Sequence, residues 1–143
     1  MARPSKAKRS EPPSASGPSL AQLIEQNQVD FELDFFGRIL ERHPFYFEAL
    51  RAHASNLAQK KRFVDSLQVE RRIVQIRPGD ALAHYNLACN YALLHEPEQA
   101  LTTLRRALEL GYRDFRFIHQ DHDLDSIRKD PRFRKLIREY EKR

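Results

Sequence analysis

The chain repeats itself at a spacing of 34 residues, and that register limits what it can fold into. Leu33, Leu67 and Leu101 stand one step apart, as do Leu40, Val74 and Leu108, and Ile39, Ile73 and Ala107. Upstream the same step links Leu20, Ala54 and Ala88, then Leu23, Leu57 and Tyr91, then Ile24, Ala58 and Ala92. Arg38, Arg72 and Arg106 keep it too, and Pro44 and Pro78 each close an apolar stretch. One pair at that distance would be chance; this many in register mark a repeat. Within each copy the apolar positions recur three and four apart, which places them on one helix face. Each copy therefore reads as two antiparallel helices joined by a short turn. A lone hairpin of this kind leaves its apolar flank in water, so the copies must stack to be stable.

The spacing predicts helix pairs at 19–27 with 30–42, 47–60 with 63–76, and 81–94 with 97–110. Ser19 followed by Gln22 forms a capping-box pattern ahead of Leu20, Leu23 and Ile24. Asp80, after Pro78 and Gly79, is placed to cap the helix that follows. Pro97 sits at a helix start, where its missing N–H is not needed. Asp130–Pro131 marks a further start, and Phe133, Leu136, Ile137 and Tyr140 supply that helix with an apolar face. Residues 1–18 are Pro, Ser, Ala and Lys/Arg with almost nothing to bury, which predicts a disordered basic arm. The expected map is that arm, then one all-α domain over 19–143. The domain divides into a degenerate first hairpin (19–46), a second (47–80), a third (81–112) and a cap (113–143).

Composition narrows the function classes. Only four glycines and no tryptophan occur in 143 residues, which argues against a fold built on many β-hairpins. The single cysteine, Cys89, can form neither an internal disulfide nor a cysteine zinc site, so a reducing compartment is expected. No apolar stretch follows the basic N-terminus to make a signal peptide, and no run approaches the roughly 18 apolar residues of a membrane span. The expectation is a soluble, cytoplasmic protein with no membrane contact. The net charge of +5 is uneven. Both termini are basic and the middle is mildly acidic, so the overall charge is weak support for nucleic-acid binding by the folded body.

The stretch Tyr85-Asn-Leu-Ala-Cys-Asn-Tyr91, followed by Ala100, Leu104, Ala107 and Leu108, resembles a tetratricopeptide repeat. Leu87, Ala88, Tyr91, Ala100 and Ala107 fall where that family wants a Leu, a small residue, a Tyr and two further small residues, and Pro78 matches the proline closing the preceding repeat. Small side chains let neighbouring helices approach to about 8–10 Å. The copy at 47–80 is weaker, with Ala54 and Ser66 small but Ile73 large; that at 13–46 departs further, with Leu20, Glu32 and Ile39. Residues 111–136 resemble the terminating motif of many bacterial tetratricopeptide proteins. The resemblance implies a short right-handed superhelical stack of about three hairpins plus C-terminal capping helices. It also implies a non-enzymatic interaction module that binds a peptide or helix on its concave face. The positions it points inward are Glu48, Arg51, Ser55 and Gln59 from one copy and Leu82, Tyr85, Asn86, Cys89 and Leu93 from the next. Asn86 falls where the family uses Asn to hold a peptide backbone, and Arg51 offers a charge for an acidic group. The set lacks the grouped basic and Asn residues of the version that clamps a free C-terminus.

Catalytic signatures are missing. There is no Gly-rich phosphate loop, no Gly-x-Ser-x-Gly and no His-Glu-x-x-His. His119-Gln-Asp-His-Asp-Leu-Asp125 has the side chains for a metal site, but no distant cluster offers the remaining ligands, so capping of short helices is the expected role. No metal, cofactor or enzymatic activity is expected. His53 and His84 read as packing residues. The aromatic run Phe31, Phe35, Phe36, Phe45, Tyr46 and Phe47 reads mostly as core between the first two hairpins; an exposed patch for a partner or a second copy is the alternative. A homo-oligomer stays open, since a short stack has an end to cover. The second functional reading is nucleic-acid or ribosome association through the arm and the last helix, with Arg132, Arg134, Lys135 and Arg138 on phosphates.

Overall fold

The computed structural model describes residues 17–143, and the arm expected over 1–18 falls almost wholly outside them. Eight α-helices follow in order: α1 (Leu20–Arg42), α2 (Phe47–Gln59), α3 (Phe63–Ile76), α4 (Ala81–Leu93), α5 (Pro97–Glu109), α6 (Phe115–Gln120), α7 (Asp125–Arg128) and α8 (Pro131–Glu141). A 3-10 turn, His122–Leu124, joins α6 to α7. Among the described residues there is no strand. Helices α2 and α3 form one hairpin, α4 and α5 the next, and α3 packs on α4 to stack them.

The caps form as the sequence dictates. Ser19 Oγ accepts from the Gln22 N–H at 3.2 Å while Gln22 Oε1 accepts from the Ser19 N–H at 2.8 Å. Asp80 accepts from the Ala83 N–H, and Asp130 from the Arg132 N–H. Three helices close alike. The Arg62 N–H donates to the Leu57 carbonyl and that of Lys61 to Ala58. His95 and Glu96, and Gly111 and Tyr112, repeat the pattern. This pair of hydrogen bonds requires a left-handed residue. Lys61 and His95 take it at φ 58°, 34 residues apart, and Gly111 at φ 106°.

Small residues sit where the helices come closest. Ala54, Ser66, Ala88, Ala100 and Ala107 are all buried. One apolar cluster joins α1, α2 and α3 through Leu40, Leu50, Leu57 and Ile73. The other joins α4 and α5 to the C-terminal helices through Leu104, Leu108, Ile118, Leu124, Ile127 and Phe133. Burying such side chains contributes about 1.5–3 kcal/mol each. The C-terminal helices thus close the open flank of the second hairpin.

The N-terminal region corrects two expectations. The first hairpin, expected as 19–27 paired with 30–42, is one continuous helix of 23 residues. Nothing between Asn27 and Asp30 breaks the backbone ladder, and Gln28 bonds Glu32 one turn on. Among the described residues, α2–α3 and α4–α5 are full hairpins and α1 precedes them as a single helix packed on α2. One flank of α1 is left uncovered among the same residues. Phe31 (65%), Phe35 (48%), Phe45 (60%) and Tyr46 (54%) are exposed instead of forming core, while Phe36 and Phe47 are half-buried. Leu20 and Ile24 continue this exposed stripe towards the start of α1.

Candidate functional site

The stack leaves a concave groove of about 490 Å³ along α2 and α4, with the α6–α7 turn as its far wall. Of the residues the repeat pattern points inward, Arg51, Ser55, Gln59, Leu82, Tyr85, Asn86, Cys89 and Leu93 all line it. Glu48 does not; it lies exposed outside the lining, near the start of α2. Leu82 is half exposed and offers apolar contact. Tyr85 takes a different part from the one expected. Only 1% of it is accessible, its ring stacks on Tyr112 at 4.2 Å, and its hydroxyl donates to Asp121 Oδ2 at 2.6 Å. Tyr85 therefore braces the wall and does not reach into the groove.

The far wall comes from the segment that reads as a chain of caps. Asp121 does cap, accepting from the Asp123 N–H at 3.0 Å. It also receives Tyr85 and, at 3.6 Å, the Cys89 thiol. Burial first, then the Asp121 and Asp123 charges, push the Cys89 thiol well up, so the sulfur keeps its proton and donates. Burial likewise raises Tyr85. Asp123 is raised by burial and then by the like charges of Asp121 and Asp125, with His122 pulling the other way. Ligand atoms of Cys89, Asp121 and Asp123 lie within 4.8 Å of one another. Cys89 thus supplies the distant group that the 119–125 stretch lacked in sequence. The two histidines turn elsewhere, His119 to Glu141 and His122 to Asp125.

The floor comes from α3. Ser66 and Glu70, one turn apart, reach between α2 and α4. Ser66 donates to the Ala54 carbonyl and accepts from Asn90 at 3.2 Å, so it is satisfied. Glu70 is 4% exposed, yet its Oε2 has no hydrogen bond. Arg51 Nη1 stands 3.8 Å away, close enough to attract and too far to bond, and it too lacks a hydrogen-bond partner. Burial pushes the Glu70 carboxyl up to about 7; Arg51 pulls it down and Asp80 adds to the rise. The periodicity held the signal for this residue, since Ser66, Glu70 and Ile73 share the buried face of α3.

The basic C-terminal segment is engaged only in part, and among the described residues Arg134 and Lys135 form no ion pair. Arg132 pairs with Glu98 and Asp130, Arg143 with Glu139, and Arg138 donates to the Arg134 carbonyl. Among the described residues no helix is long and apolar enough to cross a membrane.

No family model matches the chain. A segment of 61 residues is 38% identical to a chloroplastic protein of Arabidopsis thaliana, a match over 43% of this chain and 18% of that protein. The chain therefore spans less than a fifth of that relative. Among solved structures, the MamA RS-1 ArsTM double mutant superposes with a TM-score of 0.60 at 20% identity, over 85% of this chain and 71% of the other. At that identity the likeness is one of fold. The described residues form an all-α stack of paired helices with a tetratricopeptide-like fold.

Proposed function

We propose that the protein is a non-enzymatic adaptor of a reducing, cytoplasmic compartment, holding a peptide or helix of a partner protein in the groove of α2 and α4. The observation that carries this reading is the pair of unsatisfied polar atoms in the groove floor. A buried polar atom without a partner costs about 1–3 kcal/mol. Glu70 Oε2 and Arg51 Nη1 are both in that state, buried beneath the cleft that their residues line. A partner that drew the two side chains outward would offer them a backbone N–H and C=O. Leu82 and Phe117, each about half exposed on the shoulders, would take its apolar side chains. Asn86, half-buried on α4, adds an amide for the same backbone. The reading leaves Cys89 no catalytic part, since its thiol holds its proton.

The test is a displayed peptide library panned against the whole chain. Binders are expected to be lost in a Leu82→Ser, Phe117→Ser double variant whose helix content is unchanged. Both side chains are exposed, so the fold should tolerate them. Binding that survives in the double variant would reject the groove.

A further inference from the structure

We propose that two copies of this chain pair through the exposed stripe of α1, the two helices antiparallel about a two-fold axis near Asn27. The stripe is separate from the groove, which among the described residues is not lined by α1. Helix α1 is apolar on two opposite sides. On one, Val29 and Leu40 are buried, and Leu33 and Phe36 pack on the first apolar cluster. At 3.6 residues per turn, Leu20, Ile24, Phe31 and Phe35 fall on the other side, with Leu23 at the edge. All five are exposed, from 43% at Leu23 to 74% at Leu20, and the Phe31 and Phe35 rings stack with centroids 6.1 Å apart. A surface helix keeps one apolar face, so a second one calls for cover.

Area, register and charge each point to a second copy as that cover. Taking about 200 Å² for a large apolar side chain in the open, the five expose on the order of 600 Å². Two copies covering one another would remove about 1,200 Å², the lower limit for a specific, stable interface. The stripe is also complementary to itself. Laid antiparallel with Asn27 opposite Gln28 of the second copy, it sets Leu20 against Phe35 and Ile24 against Phe31. Each contact is then made twice, as a two-fold interface demands, and aliphatic meets aromatic throughout. Between Leu20 and Phe31 the charged side chains lie off the stripe: Asp30 turns to Lys60 of α2 at 2.7 Å, and Glu25 lines a hollow with Val29. A parallel pair would set Asp34 on Asp34 and Arg38 on Arg38, whereas the antiparallel one separates them and opposes the helix dipoles. The chain's own arm is a poor rival, since apart from prolines residues 1–16 offer only Met1 and three alanines as apolar cover.

The experiment is sedimentation velocity of the whole chain from about 1 to 200 μM, the range in which a small interface associates. The mass is expected to rise with concentration from 16.9 kDa towards twice that value. Ile24→Lys and Phe31→Glu each alter an exposed side chain, so helix content should hold. Either alone should weaken pairing at least tenfold, because symmetry loses the contact twice. Mixed in equal amounts, the two variants should pair more tightly than either by itself, because the new ammonium of one meets the new carboxylate of the other. A chain that stays monomeric over the whole range would hand the stripe to another occupant and overturn the proposal. A dimer that neither substitution weakens would overturn it as well, by placing the contact elsewhere. A mixture that pairs no better than its components would overturn the antiparallel register.

Discussion

Replacing Glu70 by Gln should make the protein more stable at neutral pH and leave it almost unchanged in acid. Glu70 is buried on α3 with Oε2 unbonded, and its carboxyl is pushed from 4.5 up to about 7. The folded state therefore holds a proton at pH values where the unfolded chain has already released it. More protons bound by the native state means that stability falls as pH rises. Below about 4.5 both states are protonated and the group's contribution is fully present; it is lost as pH climbs through 7. At about 1.4 kcal/mol per pH unit, the interval corresponds to roughly 3 kcal/mol at the upper limit. Gln has the shape of the protonated acid and no charge to desolvate, and Arg51 keeps Asp80 at 3.6 Å. Urea unfolding followed by circular dichroism at pH 4.5, 6 and 8 measures the difference, and every other titrating group cancels between the two proteins. The expected gain for Glu70→Gln is near zero at pH 4.5 and about 2–3 kcal/mol at pH 8. A difference that is flat with pH, or a variant less stable at pH 8, would refute the reasoning.

Three further outcomes follow from the packing. Tyr85→Phe removes the 2.6 Å bond to Asp121 and should cost about 1–2 kcal/mol in urea unfolding, because it leaves a half-buried carboxylate short of a donor. Leu104→Ala, at a position with no accessible surface, should cost about 2–5 kcal/mol, whereas Leu82→Ala at the groove shoulder should stay within about 0.5 kcal/mol; similar losses for the two would mean the core is misplaced. His95→Gly relieves a left-handed non-glycine residue and should raise the melting temperature, by an amount equivalent to at most about 1 kcal/mol.

The parts of the fold set by local chemistry were legible in advance. Helices α2 to α5 fall within a residue or two of the limits that the three-and-four spacing predicts, because each has one apolar face and a marked start or stop. Pro97, Asp80 and Asp130 act where local hydrogen bonding puts them. Continuity of α1 was harder to read, since a helix that persists and one that turns back differ only in whether a partner covers the flank. Lys61 and His95 carry no mark of their left-handed backbone, as neither is the Gly or Asn that usually announces it. The groove was legible by halves. Its α2 and α4 lining follows from helical register, whereas the far wall depends on how the closing segment returns, 32 residues on, to set Asp121 against Cys89. Glu70 was visible as an acid on a buried face, and only the fold reveals that its Oε2 is left without a hydrogen bond beside Arg51.

Amide hydrogen exchange on the whole chain, with and without the tightest peptide recovered by panning, reads the binding face directly. Added protection is expected in α2, in α4 and across residues 121–124, with the outer stripe of α1 unchanged. Protection confined to Phe31, Phe35 and their neighbours on α1, with the groove exchanging as before, would contradict the assignment of the concave face.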